Sequence, residues 1–253
     1  MKTAVITGAS AGLGVELLRA AIELCPEIDT YWLIARRRDR LEALQAQFPN
    51  KTLRAVPLDL SDRASFETLR TLLTEEKPDI ALLINNAGMG KLCDFDTADT
   101  DIHLAQVDLN CRALTAVTHL CLPYMQKNSS VINISSIASF APTPRMSVYC
   151  STKAYVQSFS RALREELKSR GINVLAVCPG PMDTEFLGLA GCDSGKSRTF
   201  DTLPHQNPQK MARGAVKAAL KGKSVYTMGF FYNLYRVLSH LVPKCIMMKI
   251  TRC

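Results

Sequence analysis

The sequence predicts an α/β fold: a doubly wound, open parallel β-sheet with helices on both faces, in a single domain. Two patterns predict it. Short, nearly continuous apolar runs alternate with longer segments whose apolar residues recur at helical spacing, and a glycine-rich turn stands at the first strand-to-helix junction. Strands that are apolar throughout belong in a parallel sheet covered on both sides. Right-handed crossovers in a β-α-β-α order place helices on both faces. A length of 253 residues suits one domain. A composition of 47% hydrophobic and 21% charged residues excludes a disordered tail or a fibre.

Taken in order, Ala4 to Thr7 forms the first strand and Gly12 to Leu24 the first helix. Tyr31 to Ala35 and Leu53 to Leu58 are strands, with a helix between them over Arg38 to Phe48. Arg63 to Glu76 is helical, with Ser61 as its N-cap and Pro78 beyond its end. The strand Ile80 to Asn85 leads to a long helix over Leu104 to Lys127. The strand Ser130 to Ser135 precedes a helix over Ser147 to Arg170, and Asn173 to Cys178 is the sixth strand. From Phe186 to Gln206, Gly188, Gly191, Gly195 and Pro204 mix with large apolar residues and break the rhythm, which reads as a mobile substrate loop over roughly 184–206. Pro208 to Lys221 is a basic helix, and Ser224 to Thr227 a weaker strand.

Gly229 to Ile250 is apolar, but Arg236, His240, Pro243, Lys244 and Lys249 interrupt it, so it lacks the ~20 apolar residues of a membrane span. Phe231, Leu234, Leu238 and Leu241 share one face of an amphipathic helix. The expected organisation is a catalytic domain over 1–228 and a basic helical extension over 229–253. The nine cysteines include no CxxC pair and are an odd number, so they form neither a disulfide framework nor a zinc site and suit a reducing compartment. The N-terminus shows no signal peptide, which points to a cytoplasmic protein, with peripheral membrane contact open.

Three constellations carry chemistry. Thr7-Gly8-Ala9-Ser10-Ala11-Gly12-Leu13-Gly14 follows a strand and opens a helix, where glycines allow a tight turn and free N–H groups favour a pyrophosphate. At the end of the second strand an acid would hold the ribose hydroxyls of NAD. Arg36-Arg37-Arg38 stands there instead, and Arg36, next to the strand end, suits a 2′-phosphate. Arg37 and Arg38 read as a solvated cationic loop. NADP(H) is therefore preferred, with NAD(H) as the alternative. Finally, Ser136 follows a strand while Tyr149 and Lys153 lie four apart on one helical face. An ammonium beside a phenol would lower its pKa and fit it for proton transfer to a carbonyl oxygen.

In this order and spacing the motifs resemble the short-chain dehydrogenase/reductase family over at least Thr3 to Thr184. TGxxxGxG lies at Thr7 to Gly14, Asp59 follows the third strand, and Asn85-Asn86-Ala87-Gly88 follows the fourth. Asn110, Ser136 thirteen residues before YxxxK, and Pro179-Gly180 with Thr184 complete the pattern. The resemblance implies a Rossmann-type sheet and an NAD(P)-dependent oxidoreductase acting on CH–OH groups. Tyr149 would be the general acid/base, Ser136 would orient the substrate oxygen, and Lys153 would hold the nicotinamide ribose. Asn110 would keep a helix distortion and a water that link Lys153 to solvent. Gly8, Ser10, Ala11, Gly12, Leu13 and Gly14 would line the pyrophosphate and ribose, Asp59 and Leu60 would meet adenine, and Asn86 would contact the adenosine side. Met182 and Thr184 would flank the carboxamide. Where many family members that use NADP carry a second basic residue in the glycine loop, this chain has Ala11.

Met89, Leu92, Phe95, Phe140, Met146 and the 186–203 loop suggest an apolar pocket, and so a hydrophobic ketone or alcohol of hydroxysteroid or 3-oxoacyl type. No metal is expected, and His205 and His240 read as surface or loop residues. Homodimers or homotetramers are expected. The alternative function is an NADP(H)-binding sensor or scaffold without turnover. Net charge is +8, yet from Thr202 onward nine basic residues face no acidic one, leaving 22 basic against 23 acidic in residues 1–201. That distribution argues against nucleic acid as partner. For the tail over Gly229 to Cys253 three readings stand: docking on its own subunit or an oligomer contact, which together are preferred, and an interfacial membrane anchor.

Overall fold

The computed structural model describes residues 1–192 and 202–250. Its seven strands are β1 (Lys2–Thr7), β2 (Ile28–Ala35), β3 (Thr52–Pro57), β4 (Asp79–Asn85), β5 (Ser130–Ile134), β6 (Asn173–Val177) and β7 (Val225–Tyr226). All pair in parallel, in the order β3-β2-β1-β4-β5-β6-β7. The order reverses between β1 and β4, so a crevice opens at their C-terminal ends, where open α/β sheets take their ligands. Side chains alternate across β1: Ala4 and Ile6 join the core under α1 (Leu13–Leu24), while Val5 joins the opposite core. The first layer is closed by α8 (Pro208–Leu220), whose Met211 and Val216 are fully buried. The second is closed by α3 (Ala64–Glu76), α5 (Leu114–Cys121) and α6 (Ser147–Glu166), through Leu69, Leu73, Val117 and Leu163.

The fold confirms the doubly wound sheet and shifts several element boundaries. Ser61 does not cap α3: its backbone N–H and its hydroxyl both donate to Asp59 Oδ1, and the Asp62 carboxylate takes the Ala64 N–H instead. The helix expected over Leu104 to Lys127 starts earlier and is broken. Asp99 accepts from the Asp101 N–H and starts α4 (Thr100–Val107), a π-turn covers Asp108–Ala113, and α5 ends where Pro123 enters a 3-10 turn. Part of the anticipated loop is helix α7 (Glu185–Ala190), ended by Gly191 at φ 72°. Residues 193–201 of that loop lie outside the described residues. The remaining helices are α2 (Arg38–Gln47), α9 (Phe230–Leu241) and α10 (Lys244–Ile250). Tyr232 on α9 donates to the Pro204 carbonyl at 2.7 Å and rests against Gly180, and Tyr235 meets the Phe140 ring at 6.0 Å. Lys244 Nζ donates to the carbonyls of Phe140 and Ser239.

Candidate active site

The glycine turn is built for close backbone approach. Gly8 has φ +65°, and a Cβ there would lie 2.8 Å from Asn86 Nδ2 and 2.9 Å from Ala87 Cα. A Cβ on Gly14 would collide with the Gly8 carbonyl oxygen. Asn86 holds the turn from the β4 side: its Nδ2 donates to the carbonyls of Thr7 and Gly8, and Thr7 Oγ1 accepts the N–H groups of Asn86 and Ala87 at 3.0 Å. Asn86 thus shapes the cradle from beneath. The N-cap of α1 is Gly12, which offers no side-chain hydrogen bond; the Gly14 N–H turns back to the Ala11 carbonyl at 3.2 Å, and no side chain caps the helix start against an anion. Ser10, Ala11 and Leu13 complete the turn, and Thr184 lies across it, close enough that a Cβ on Gly12 would sit 3.3 Å from the Thr184 Cβ.

At the end of β2 the arginines divide. Arg36 is exposed and lies 3.9 Å from Asp59. Desolvation of Asp59 acts upward on its pKa, but the two Ser61 hydrogen bonds and Arg36 outweigh it and hold the carboxyl below its ordinary value. Leu60 is buried beside it. Arg37 departs from the solvated reading, because it reaches Ser10 Oγ at 3.3 Å and Glu185 at 3.2 Å. Arg40 joins the same carboxylate at 2.7 Å. Arg38 pairs with its helical neighbour Glu42 at 3.8 Å. Spacing gave no sign of this Arg37–Glu185–Arg40 cluster, since its members are about 145 positions apart.

Across the crevice, Ser136, Tyr149 and Lys153 converge as the spacing implied. Ser136 stands close enough to the Tyr149 hydroxyl to act on its pKa, and its Oγ accepts the Ala138 N–H at 3.1 Å. Lys153 Nζ is 5.7 Å from the centre of the Tyr149 ring and donates to the Ile134 carbonyl at 2.9 Å. Burial dominates both groups. It pushes the Lys153 ammonium down to about 8 and lifts the Tyr149 phenol above its ordinary value, against the smaller effect of the Ser136 hydrogen bond. In the absence of cofactor, burial is thus the dominant influence on the Tyr149 phenol, with Ser136 acting against it.

Asn110 sits in the π-turn, and that turn carries its side chain inward. Its Oδ1 accepts the Met89 N–H at 2.9 Å, while its Nδ2 donates to the Met89 carbonyl and to Thr152 Oγ1. Thr152 Oγ1 donates in turn to the Tyr149 carbonyl at 2.8 Å. Asn110 so ties the segment after β4 to the second turn of α6. Thr152, one residue before Lys153, has no signature in the sequence, because a threonine inside a helix carries no distinctive signal. A Cβ on Gly88 would lie 3.0 Å from Asn110 Oδ1 and 3.4 Å from Lys153 Nζ, so this backbone also needs glycine.

The apolar surroundings are narrower than the sequence suggested. Leu92, Met146, Cys150, Ala190 and Cys192 cluster around Tyr149, with Phe186 at 5.9 Å between ring centres. Phe140 is buried against Tyr235, and Phe95 is exposed on the outer surface, stacked on His103 at 4.6 Å, so neither belongs to this cluster. Met182 is half-buried against the α1-side core. His205 pairs with Asp183 at 2.5 Å, and the described residues hold no cluster of three metal-ligating side chains.

A family signature described as short chain dehydrogenase matches residues 2–191. The chain belongs to the short-chain dehydrogenases, a family of oxidoreductases. It is 34% identical over 219 residues to a probable NADP-dependent dehydrogenase of Haemophilus influenzae, covering 83% of this chain and 84% of that protein. It is 32% identical over 197 residues to the serine 3-dehydrogenase of Agrobacterium fabrum, covering 73% of each. Among solved structures, a short-chain dehydrogenase from Sphingobium yanoikuyae in complex with NADPH superposes with a TM-score of 0.79 at 29% identity, covering 95% of each chain.

Proposed function

We propose that this protein is an NADP(H)-dependent oxidoreductase that interconverts a ketone and a secondary alcohol on a hydrophobic substrate of hydroxysteroid or 3-oxoacyl type. The observation that carries the reading is the convergence of Ser136, Tyr149 and Lys153 on one side of a crevice whose other side is a glycine-only turn over an uncapped helix. The glycine turn and bare helix N-terminus fit a dinucleotide pyrophosphate. Arg36, and Arg37 lying on Ser10, fit the 2′-phosphate that distinguishes NADP. When bound, the dinucleotide supplies or accepts hydride at its nicotinamide. Lys153 holds the ribose side, Ser136 orients the substrate oxygen, and Tyr149 donates a proton to that oxygen in reduction or removes one in oxidation.

The raised phenol suits the reductive direction, which needs the protonated form. Alcohol oxidation needs the phenolate, so its kcat/KM should rise with pH through the alkaline range while ketone reduction stays level across neutrality. A full-rate plateau of oxidation already at neutral pH would contradict this. The apolar cluster around Tyr149 favours a hydrophobic substrate over a sugar. Exposed Phe95, Leu104, Val107 and Tyr155 on the α4–α6 side support assembly with a second copy into a homodimer or homotetramer. The test is consumption of NADPH and of NADH across a panel of steroid, acyl and small polar ketones. Turnover of apolar ketones supports the enzyme. Tight NADPH binding with no turnover of any ketone would favour the sensor reading.

A further inference from the structure

The C-terminal helix α9 is docked the wrong way round for a helix that serves only as packing. Tyr232 and Ser239 are its buried residues, and Tyr235 also faces the protein. On the other side Phe230, Leu234, Val237 and Leu241 fall within a narrow sector, with Leu238 and Phe231 at its edge, given 100° per residue. All six are exposed, Phe230 at 84%, Leu241 at 74% and Val237 at 55%. The face expected to pack inward thus points to solvent, as a stripe some three turns long that no charged residue interrupts. Ile246 on α10 adds a further exposed apolar side chain. A monomer seldom leaves so continuous a face uncovered.

Charge narrows the choice of occupant. From residue 202 onward the chain has no Asp or Glu and nine Lys or Arg. On the two helices themselves Arg236, Lys244 and exposed Lys249 have no carboxylate partner among the described residues. A second copy joined through this face by a two-fold axis would bring two acid-free, basic segments together, with no carboxylate from either to offset the repulsion. An anionic bilayer surface accepts both features at once, apolar side chains at the acyl boundary and lysines toward the headgroups. No described helix is long and apolar enough to cross a membrane, so the contact is interfacial. We infer that α9, with α10, is a peripheral anchor that seats the enzyme on anionic phospholipid surfaces through Phe230, Leu234, Val237 and Leu241.

The test is sedimentation of the full-length protein with vesicles of phosphatidylcholine alone and of phosphatidylcholine mixed with phosphatidylglycerol, alongside measurement of native mass. The expected result is binding to the mixed vesicles that weakens as salt is raised. The double variant Leu234→Ser, Val237→Ser should lose about tenfold or more of that binding at unchanged native mass and unchanged NADPH binding. Three results would overturn the inference: no binding to mixed vesicles, equal binding to both compositions, or a fall in native mass in the double variant, which would make the face a self-interface. The outcome is independent of whether the catalytic reading holds.

Discussion

The glycine turn and the C-terminal helices lie at opposite ends of the chain, and they are specified in opposite ways. The turn is made of backbone. Its φ values above zero and its contacts with Asn86 and Ala87 admit only glycine, so its geometry is written directly in residue identity and spacing. The C-terminal third is made of ordinary apolar side chains on helices. Many orientations satisfy such a pattern, and only the packing partner selects among them. The comparison teaches that a site held by steric necessity can be read residue by residue, whereas one held by facing cannot.

The glycine turn is where a single change should do most. Gly14→Val would place side-chain atoms against the Gly8 carbonyl, and loss of NADPH binding in a chain that also expresses poorly is expected, by fluorescence titration and thermal melting. Wild-type affinity in that variant would dissolve the contrast. One step out from the backbone, Arg36→Asp should raise the NADPH Michaelis constant by roughly tenfold or more and spare NADH. Equal loss with both cofactors would remove Arg36 from the phosphate site. The smallest effect belongs to an exposed carboxylate that reaches the glycine turn through Arg37. Glu185 on α7 holds Arg37 and Arg40, and these hydrogen bonds keep its carboxyl below its ordinary value. It therefore competes with a 2′-phosphate for Arg37, and Glu185→Gln should lower the NADPH Michaelis constant by a few-fold with NADH unchanged. A rise instead would make Glu185 a support of the cofactor side.

Much of the site was legible. The doubly wound sheet, the glycine turn and the Ser136–Tyr149–Lys153 convergence follow from patterns whose spacing reflects backbone geometry, and the helix distortion at Asn110 follows from the family resemblance. What stayed hidden depends on tertiary context. Arg37 looks like any surface arginine until Ser10 and Glu185 are brought to it. Phe95 and Phe140 look like pocket residues until one is stacked on the outside and the other buried under Tyr235. The phenol of Tyr149 shows the same limit: spacing places Lys153 near it, but the burial that raises its pKa depends on the tertiary surroundings.

The central claim is that Tyr149 performs proton transfer in a crevice that binds NADPH without it. The direct measurement is Tyr149→Phe, assayed for NADPH binding and for turnover with whichever ketone the wild type reduces. NADPH affinity within a few-fold of wild type, with turnover lower by about 10²–10⁴-fold, is the predicted result. Turnover that survives in this variant would contradict the account.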